Sequence, residues 1–308
     1  MTIAAGFLYS DGVMLCADTE LTQWAATLHA SKITLFSCPG GNVAMAYAGN
    51  ANLATTAIQK CARRLQEVSA KEALPEIERL LDKQYRKAVL SHPNHASDSN
   101  LAYSMLISLC SPDGELSLYA TDQTTVRLIE TYECIGIGES LAHYLVRASF
   151  RSDMGERQAL NLAAFMLACV KDSVPNCGGL SQFVVLRKDR TVQNIFAGSN
   201  VSLNANTEWI DRHSKGFDEF ARRVLLSIAN PEITEIQFEA KLDAFKAEIL
   251  RLRKDWREKA FVHESMADLL RGKPKTKNIE DSIRPPSTTG DPSPPRPSPE
   301  LHERTDES

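Results

Sequence analysis

Residues 2–18 read Thr2-Ile3-Ala4-Ala5-Gly6-Phe7-Leu8-Tyr9-Ser10-Asp11-Gly12-Val13-Met14-Leu15-Cys16-Ala17-Asp18, two short apolar runs, 2–9 and 13–18, on either side of Ser10-Asp11-Gly12. Short apolar segments bounded by turn residues predict a β-hairpin. A three-residue loop with glycine last suits a left-handed final position. With that loop Tyr9 pairs with Val13 and Ala4 lies opposite Asp18, so Thr2 and Asp18 share one face as near-diagonal neighbours. A two-residue loop would set them on opposite faces, because a register shift of one flips every side chain.

Further strands are predicted over 32–36 and 42–48, on either side of the Pro39-Gly40-Gly41 turn. Two helices follow, 51–68 and 71–90, the first with Leu53, Ala57, Cys61 and Leu65 at four-residue spacing. Strands resume over 101–110, 116–121, 125–131 and near 133–135. Helices over 139–150 and 156–172 and strands over 181–187 and 191–196 close the region. Strands, two helices, strands, two helices, strands suits an α+β class protein: two stacked sheets with helices outside each, a four-layer αββα sandwich over residues 1–199.

Beyond residue 200 the sequence predicts a helical extension over 200–271, with helices at 217–228 and 234–270. The longer one carries a heptad-like seam of Phe238, Leu242, Phe245, Ile249, Leu252 and Trp256, and reads as an amphipathic helix packed on its own domain. Residues 272–308 hold eight of the fourteen prolines and almost no large apolar side chains, the composition of a disordered tail.

The chain has 308 residues, 43% of them apolar and 24% charged, with a net charge of −4. It carries no basic field for gripping phosphates, so nucleic acid is not an expected partner. No run of 18 apolar residues and no secretory start occur, which predicts a cytoplasmic chain with no membrane partner. The seven cysteines are odd in number and contain no C-x-x-C pair, which suits reduced core thiols rather than a disulfide framework or a zinc site. Gly136-x-Gly138 lacks the third glycine of a dinucleotide fingerprint. His92 and His95 have no carboxylate cluster beside them, and His143 reads as a structural helix residue. No cofactor and no metal are expected.

Candidate chemistry starts at position 2. Removal of Met1 would give Thr2 a free α-amine beside its hydroxyl, and such an amine can take the proton of a weakly nucleophilic hydroxyl. Its ordinary pKa, about 7.7 to 8.0, lies near working pH. Lys32 heads a strand with Ile33, Leu35 and Phe36, and a lysine buried there needs an anion, for which Asp18 is the candidate. An ammonium close to Thr2 would favour the alkoxide and lower the pKa of the amine. The competing reading of Lys32 is a strand-edge charge that reaches solvent.

Four segments, Thr2-Ile3-Ala4-Ala5-Gly6, Gly12-Val13-Met14-Leu15-Cys16-Ala17-Asp18-Thr19, Ser31-Lys32-Ile33 and Tyr47-Ala48-Gly49-Asn50-Ala51, resemble in order the conserved blocks of proteasome β subunits and their bacterial relatives. These are N-terminal-nucleophile hydrolases. The resemblance implies Thr2 as nucleophile, Asp18 and Lys32 as its electrostatic partners, and the backbone N–H of Gly49 as an oxyanion donor. It also implies a threonine-type endopeptidase that assembles with itself into a ring or helix, takes polypeptide substrates, and in some relatives is fed by an ATPase unfoldase.

Gly136-Ile137-Gly138-Glu139-Ser140 and Cys177-Gly178-Gly179-Leu180 are similar to two further blocks, with departures. Ile137 and Cys177 stand where the family has serines, Val174 where it has an aspartate with Asp172 two places early, and Glu20 where an arginine is common. The resemblance covers residues 2–199. Two other functions fit the same residues: a catalytically silent scaffold subunit, favoured by these departures, and hydrolysis of a non-peptide amide. The lack of a segment before Thr2 that would block its amine favours the enzyme.

Overall fold

The structure, a computed structural model, describes residues 2–23, 26–91, 101–194, 201–228, 230 and 232–271. The chain opens with strands β1 (Ile3–Tyr9), β2 (Gly12–Asp18), β3 (Glu20–Gln23), β4 (Ala26–His29), β5 (Ile33–Cys38) and β6 (Gly41–Gly49). Helices α1 (Ala51–Leu65) and α2 (Ala70–Ser91) follow, then β7 (Tyr103–Cys110), β8 (Leu116–Asp122), β9 (Thr125–Ile129) and β10 (Tyr132–Gly136). Next come α3 (Glu139–Ser149), α4 (Glu156–Ser173), β11 (Ser181–Arg187), β12 (Val192–Asn194), α5 (Val201–Ile228) and α6 (Glu235–Arg271).

Two five-stranded antiparallel sheets form, in the orders β10-β1-β2-β11-β12 and β5-β6-β7-β8-β9. Alternation along each strand divides the apolar side chains between layers. In β1, Ile3, Ala5, Phe7 and Tyr9 pack toward Ala142, Val146, Ala163 and Leu167 of α3 and α4. In β6, Val43, Met45 and Tyr47 pack toward Ala54, Ile58, Ile77 and Leu81 of α1 and α2. Between the sheets lie Ala4, Ala17, Ala44, Ala46 and Ala48 with Leu15, Leu106, Leu118 and Leu186. Strands β1, β2, β6, β7 and β11 are buried on both faces over most of their length, which is why they read as continuous apolar runs. The result is the expected αββα sandwich, and the alanines let the two sheets approach closely.

The first hairpin differs from expectation in its loop. Tyr9 pairs with Gly12, Leu8 with Val13 and Ala4 with Ala17, so the loop holds two residues, Ser10 and Asp11. Gly12 joins the ladder instead of ending the turn. The hairpin β3–β4, where Glu20 faces His29 and Leu21 faces Leu28, was not anticipated from the sequence. Helix α5 begins at Val201, well before the expected 217. Residues 195 and 196 of the last expected strand, the histidines at 92 and 95, and the proline-rich 272–308 lie outside the described residues.

The chain divides into two units, Met1–Glu258 and Lys259–Ser308. In the first, the extension lies on α4: Phe217 meets Phe165 edge-on at 6.1 Å, and Phe245 of α6 stacks on Phe220 at 5.3 Å. Phe245 of the α6 seam thus packs on its own chain, while Leu242 and Ile249 stay exposed. In the second unit the described residues are the last turns of α6. Among the described residues no helix is long and apolar enough to cross a membrane. All seven cysteines are free, and all but Cys38 are buried.

Candidate active site

Thr2 directly precedes β1, Asp18 ends β2, and Lys32 directly precedes β5 in the other sheet. The three side chains meet at the same end of the sandwich, and all are buried: Thr2 is 2% exposed, Asp18 and Lys32 not at all. The Thr2 hydroxyl donates to Asp18 Oδ1 and accepts from Lys32 Nζ. Lys32 Nζ also donates to Asp18 Oδ1 at 2.6 Å. The lysine is therefore a buried partner of the aspartate and not a solvent-reaching edge charge.

Thr2 and Asp18 meet although the two-residue loop would put them on opposite faces. The β1–β2 ladder ends at the pair of Ala4 with Ala17. Alternation binds only residues held in the ladder, and Thr2 lies outside it. The carboxylate closes the end of β1: Oδ1 accepts the Ile3 N–H at 3.1 Å, and Oδ2 accepts the Gly178 N–H at 3.0 Å. Two backbone donors and an ammonium satisfy an anion that would otherwise be costly to bury.

Burial pushes the Lys32 ammonium below the ordinary lysine pKa, and the Asp18 charge opposes that shift. A lysine in this state gives up its proton more readily than one in water. A hydroxyl held between such an amine and a carboxylate is placed to lose its own proton.

Gly49 ends β6 opposite Tyr103 with φ +93, and a Cβ there would come within 2.4 Å of the Ala102 carbonyl oxygen. Asn50, next in sequence, caps α1 by accepting the Leu53 N–H at 3.0 Å. The Gly49 peptide therefore sits at the positive end of a helix. Gly136, opposite Ile3 with φ +107, has no room for a side chain: a Cβ would lie 2.2 Å from the Thr2 carbonyl oxygen and 3.1 Å from Ala48 Cβ. That glycine lets the start of β1 approach the end of β6, which brings the residue before Gly49 beside Thr2.

Of the departures from the family blocks, Cys177 lies in the cluster. It is 5% exposed, and burial with the nearby Asp18 charge pushes its thiol up to about 12. Val174 packs in the helix-side core, and Ile137 is 47% exposed. Asp172 is drawn off to Lys215 at 3.6 Å and does not join the site. The Glu20 carboxylate lies against Gly178, whose carbonyl accepts the N–H groups of both Thr19 and Glu20. His143 bonds Glu133 at 3.0 Å, away from this cluster.

Two contributors escaped the sequence reading: the Gly178 amide, and Gln182, whose Oε1 accepts the Lys32 N–H at 2.7 Å. A signal for the second was present. Gln182 is the one amide side chain in β11 and directly precedes the apolar run Phe183-Val184-Val185-Leu186. Among the described residues no three His, Cys, Asp or Glu side chains gather as a metal-holding cluster.

No curated protein matches this chain. Among solved structures, the chain is similar to Anbu (ancestral beta-subunit) from Yersinia bercovieri, at 17% identity and a TM-score of 0.58, over 75% of this chain and 99% of that one. It is also similar to Anbu from Hyphomicrobium sp. strain MC1, at 16% identity and TM-score 0.57, over 74% and 98% of the two chains. A third, a helical assembly of the Anbu complex from Pseudomonas aeruginosa, shares 15% identity and a TM-score of 0.57 over 72% and 96%. These likenesses establish the fold, and the sequence model of the proteasome subunit family matches residues 2–185, more than half of the chain and all of the segments that build the Thr2 cluster, so the chain belongs to the proteasome subunit family.

Proposed function

We propose that the chain, once Met1 is removed, is a threonine-type endopeptidase that hydrolyses polypeptide amides in a cytoplasmic assembly of its own copies. The observation that supports this most is the Thr2 hydroxyl held between Lys32 Nζ and Asp18 Oδ1. Thr2 Oγ1 attacks the substrate carbonyl carbon as Lys32, in its neutral form, takes the hydroxyl proton. Asp18 stabilises the ammonium that results. The Gly49 N–H donates to the oxyanion, a contribution typically of order 10² to 10³ in rate. Collapse breaks the C–N bond, and the leaving amine receives a proton relayed through the Thr2 α-amine. Water, deprotonated by that amine, then attacks the ester carbonyl; the bond from that carbon to Thr2 Oγ1 breaks, Oγ1 takes the proton back from the amine, and the acid is released.

Residues 1–199 form the hydrolase domain in this reading, with 200–271 as an extension. Self-assembly is favoured by the family and by the helical assembly named for the Pseudomonas aeruginosa relative. The scaffold reading is kept because Ile137 and Cys177 replace polar residues of the family blocks.

Intact mass of the purified particle, before and after a peptide epoxyketone, tests the proposal. Such an electrophile needs both the hydroxyl and the amine of one residue. The expected result is a chain beginning at Thr2 that gains one adduct there, in a particle several times the monomer mass by light scattering. An assembled chain lacking Met1 that takes no adduct and cuts no amide would establish the scaffold reading instead.

A further inference from the structure

Among the described residues the two sheets share no ladder hydrogen bond: β5 and β11 belong to different sheets, and an alanine-rich apolar layer lies between them. Apolar contact is non-directional, so by itself it fixes the separation of two sheets better than their lateral register. The Thr2 cluster demands that register, because Lys32 comes from one sheet while Thr2 and Asp18 come from the other.

Gln182 supplies a directional link. It lies on β11 opposite Ala17 and is 2% exposed. Its Oε1 accepts the Lys32 N–H at 2.7 Å, and its Nε2 donates to Ser31 Oγ at 3.0 Å. Ser31 Oγ in turn donates to the Ile33 carbonyl at 2.8 Å. Both ends of one buried carboxamide are thus spent on the two consecutive residues that lead into β5, Ser31 and Lys32. A long lysine stem reaches a defined point only when its own backbone is fixed, and this bond fixes it.

We infer that Gln182 is a positioning residue for the hydrolysis, holding the Lys32 backbone so that Nζ meets the Thr2 hydroxyl. The inference rests on the role proposed for Lys32 above. A carboxamide suits the task, since it accepts from one backbone and donates to a neighbouring hydroxyl without adding charge beside the Lys32–Asp18 pair. Misplacement by about 1 Å can cost on the order of 10² in rate.

Gln182→Met removes both hydrogen bonds at nearly constant volume, while Gln182→Glu keeps the acceptor for the Lys32 N–H. If Gln182 positions Lys32, Gln182→Met lowers kcat at least about tenfold with KM unchanged. Gln182→Glu recovers most of the rate, and the added charge moves the pH limb assigned to Lys32 upward. A Gln182→Met enzyme that is less stable to urea, yet keeps the wild-type kcat and pH profile when folded, overturns the inference. Should Gln182→Met not fold, Ser31→Ala removes the Nε2 partner, together with the bond of Ser31 to the Ile33 carbonyl, and is expected to lower kcat in the same sense, with wild-type kcat again counting against the idea. A separate readout covers a chain without peptidase activity: NMR titration of lysine labelled at Cε. In wild type the Lys32 signal titrates below ordinary lysine, and loss of the Gln182 link lets water in and moves it up. An unmoved titration in Gln182→Met overturns the positioning role whether or not the chain proves to be an enzyme.

Discussion

Lys32 Nζ lies 2.6 Å from Asp18 Oδ1, and neither side chain has any solvent-accessible surface. Breaking such a pair from one side strands a charge in an apolar setting. Asp18→Ala is therefore expected to destabilise the fold by roughly 3–5 kcal/mol, and Lys32→Met by a similar amount. The double variant Asp18→Ala/Lys32→Met should lie closer to wild type than either single one, because no charge is left unpaired. Urea unfolding of the four proteins measures this, and additive losses would contradict it.

Alkaline pH should act on the same pair in a defined direction. The folded Lys32 pKa lies below its unfolded value near 10.5. Between the two values the unfolded chain binds more protons, so this group makes stability rise with pH across that window. Below the folded pKa the penalty for burying the ammonium is present in full. Wild type compared with Lys32→Met should gain relative stability as pH climbs toward 10.5, read as the change in urea midpoint. A flat difference would mean that burial does not perturb the lysine.

Gly136→Ala should disturb the start of β1. The added Cβ meets the Thr2 carbonyl oxygen at 2.2 Å, and φ +107 is unfavourable for any residue with a side chain. Backbone strain of this kind costs on the order of 1–3 kcal/mol. Epoxyketone labelling at Thr2 should fall with it, since the carbonyl that must shift belongs to the labelled residue. Wild-type labelling in a destabilised protein would show that Thr2 has room to relax.

Substitutions at Thr2 separate chemistry from folding. Thr2→Ala should abolish labelling and peptide cleavage while the particle still assembles, and Thr2→Ser should keep part of the activity because a hydroxyl remains. A chain that retains Met1 should be silent, its nitrogen at residue 2 being an amide without basicity. Peptide turnover together with light scattering decides these cases. Full activity in Thr2→Ala would move the nucleophile elsewhere.

Phe245→Ala tests the extension. The ring is half-buried between Phe217 and Phe220, 6.1 and 5.3 Å away. Losing it should cost on the order of 1–2 kcal/mol locally and speed protease cutting between α5 and α6. Labelling at Thr2 should be unaffected, because Phe245 lies among Phe217 and Phe220 and not in that cluster.

Much of this was legible in the sequence, since local signals dominated where they were strong. Continuous apolar runs between turn residues gave strands β1, β2, β6, β7 and β11 to within about two residues, and the four-residue spacing of Leu53, Ala57, Cys61 and Leu65 gave α1. The meeting of Thr2, Asp18 and Lys32 was foreseen, but through the wrong register. Gly12 looked like a turn residue and proved to be the first residue of β2, while the contact came from the frayed end of the ladder. The hairpin β3–β4 was missed because Glu20, Thr22 and Gln23 break any apolar pattern. Gly178 and Gln182 act across more than 140 residues of sequence on Asp18 and Lys32. No local periodicity encodes such pairings.

The order of strands in the first sheet, β10-β1-β2-β11-β12, also has a bearing on synthesis. The hairpin carrying Thr2 leaves the ribosome before its flanking neighbours, residues 132–136 and 181–187, which follow more than a hundred residues later. Contacts so distant in sequence form late. The second sheet, drawn from residues 33–129, can close earlier. A nascent chain thus carries Thr2 for some 160 residues of synthesis without the amide of Gly178 or the carboxamide of Gln182 in place. Timing alone keeps the Thr2 cluster incomplete until about residue 190 has emerged.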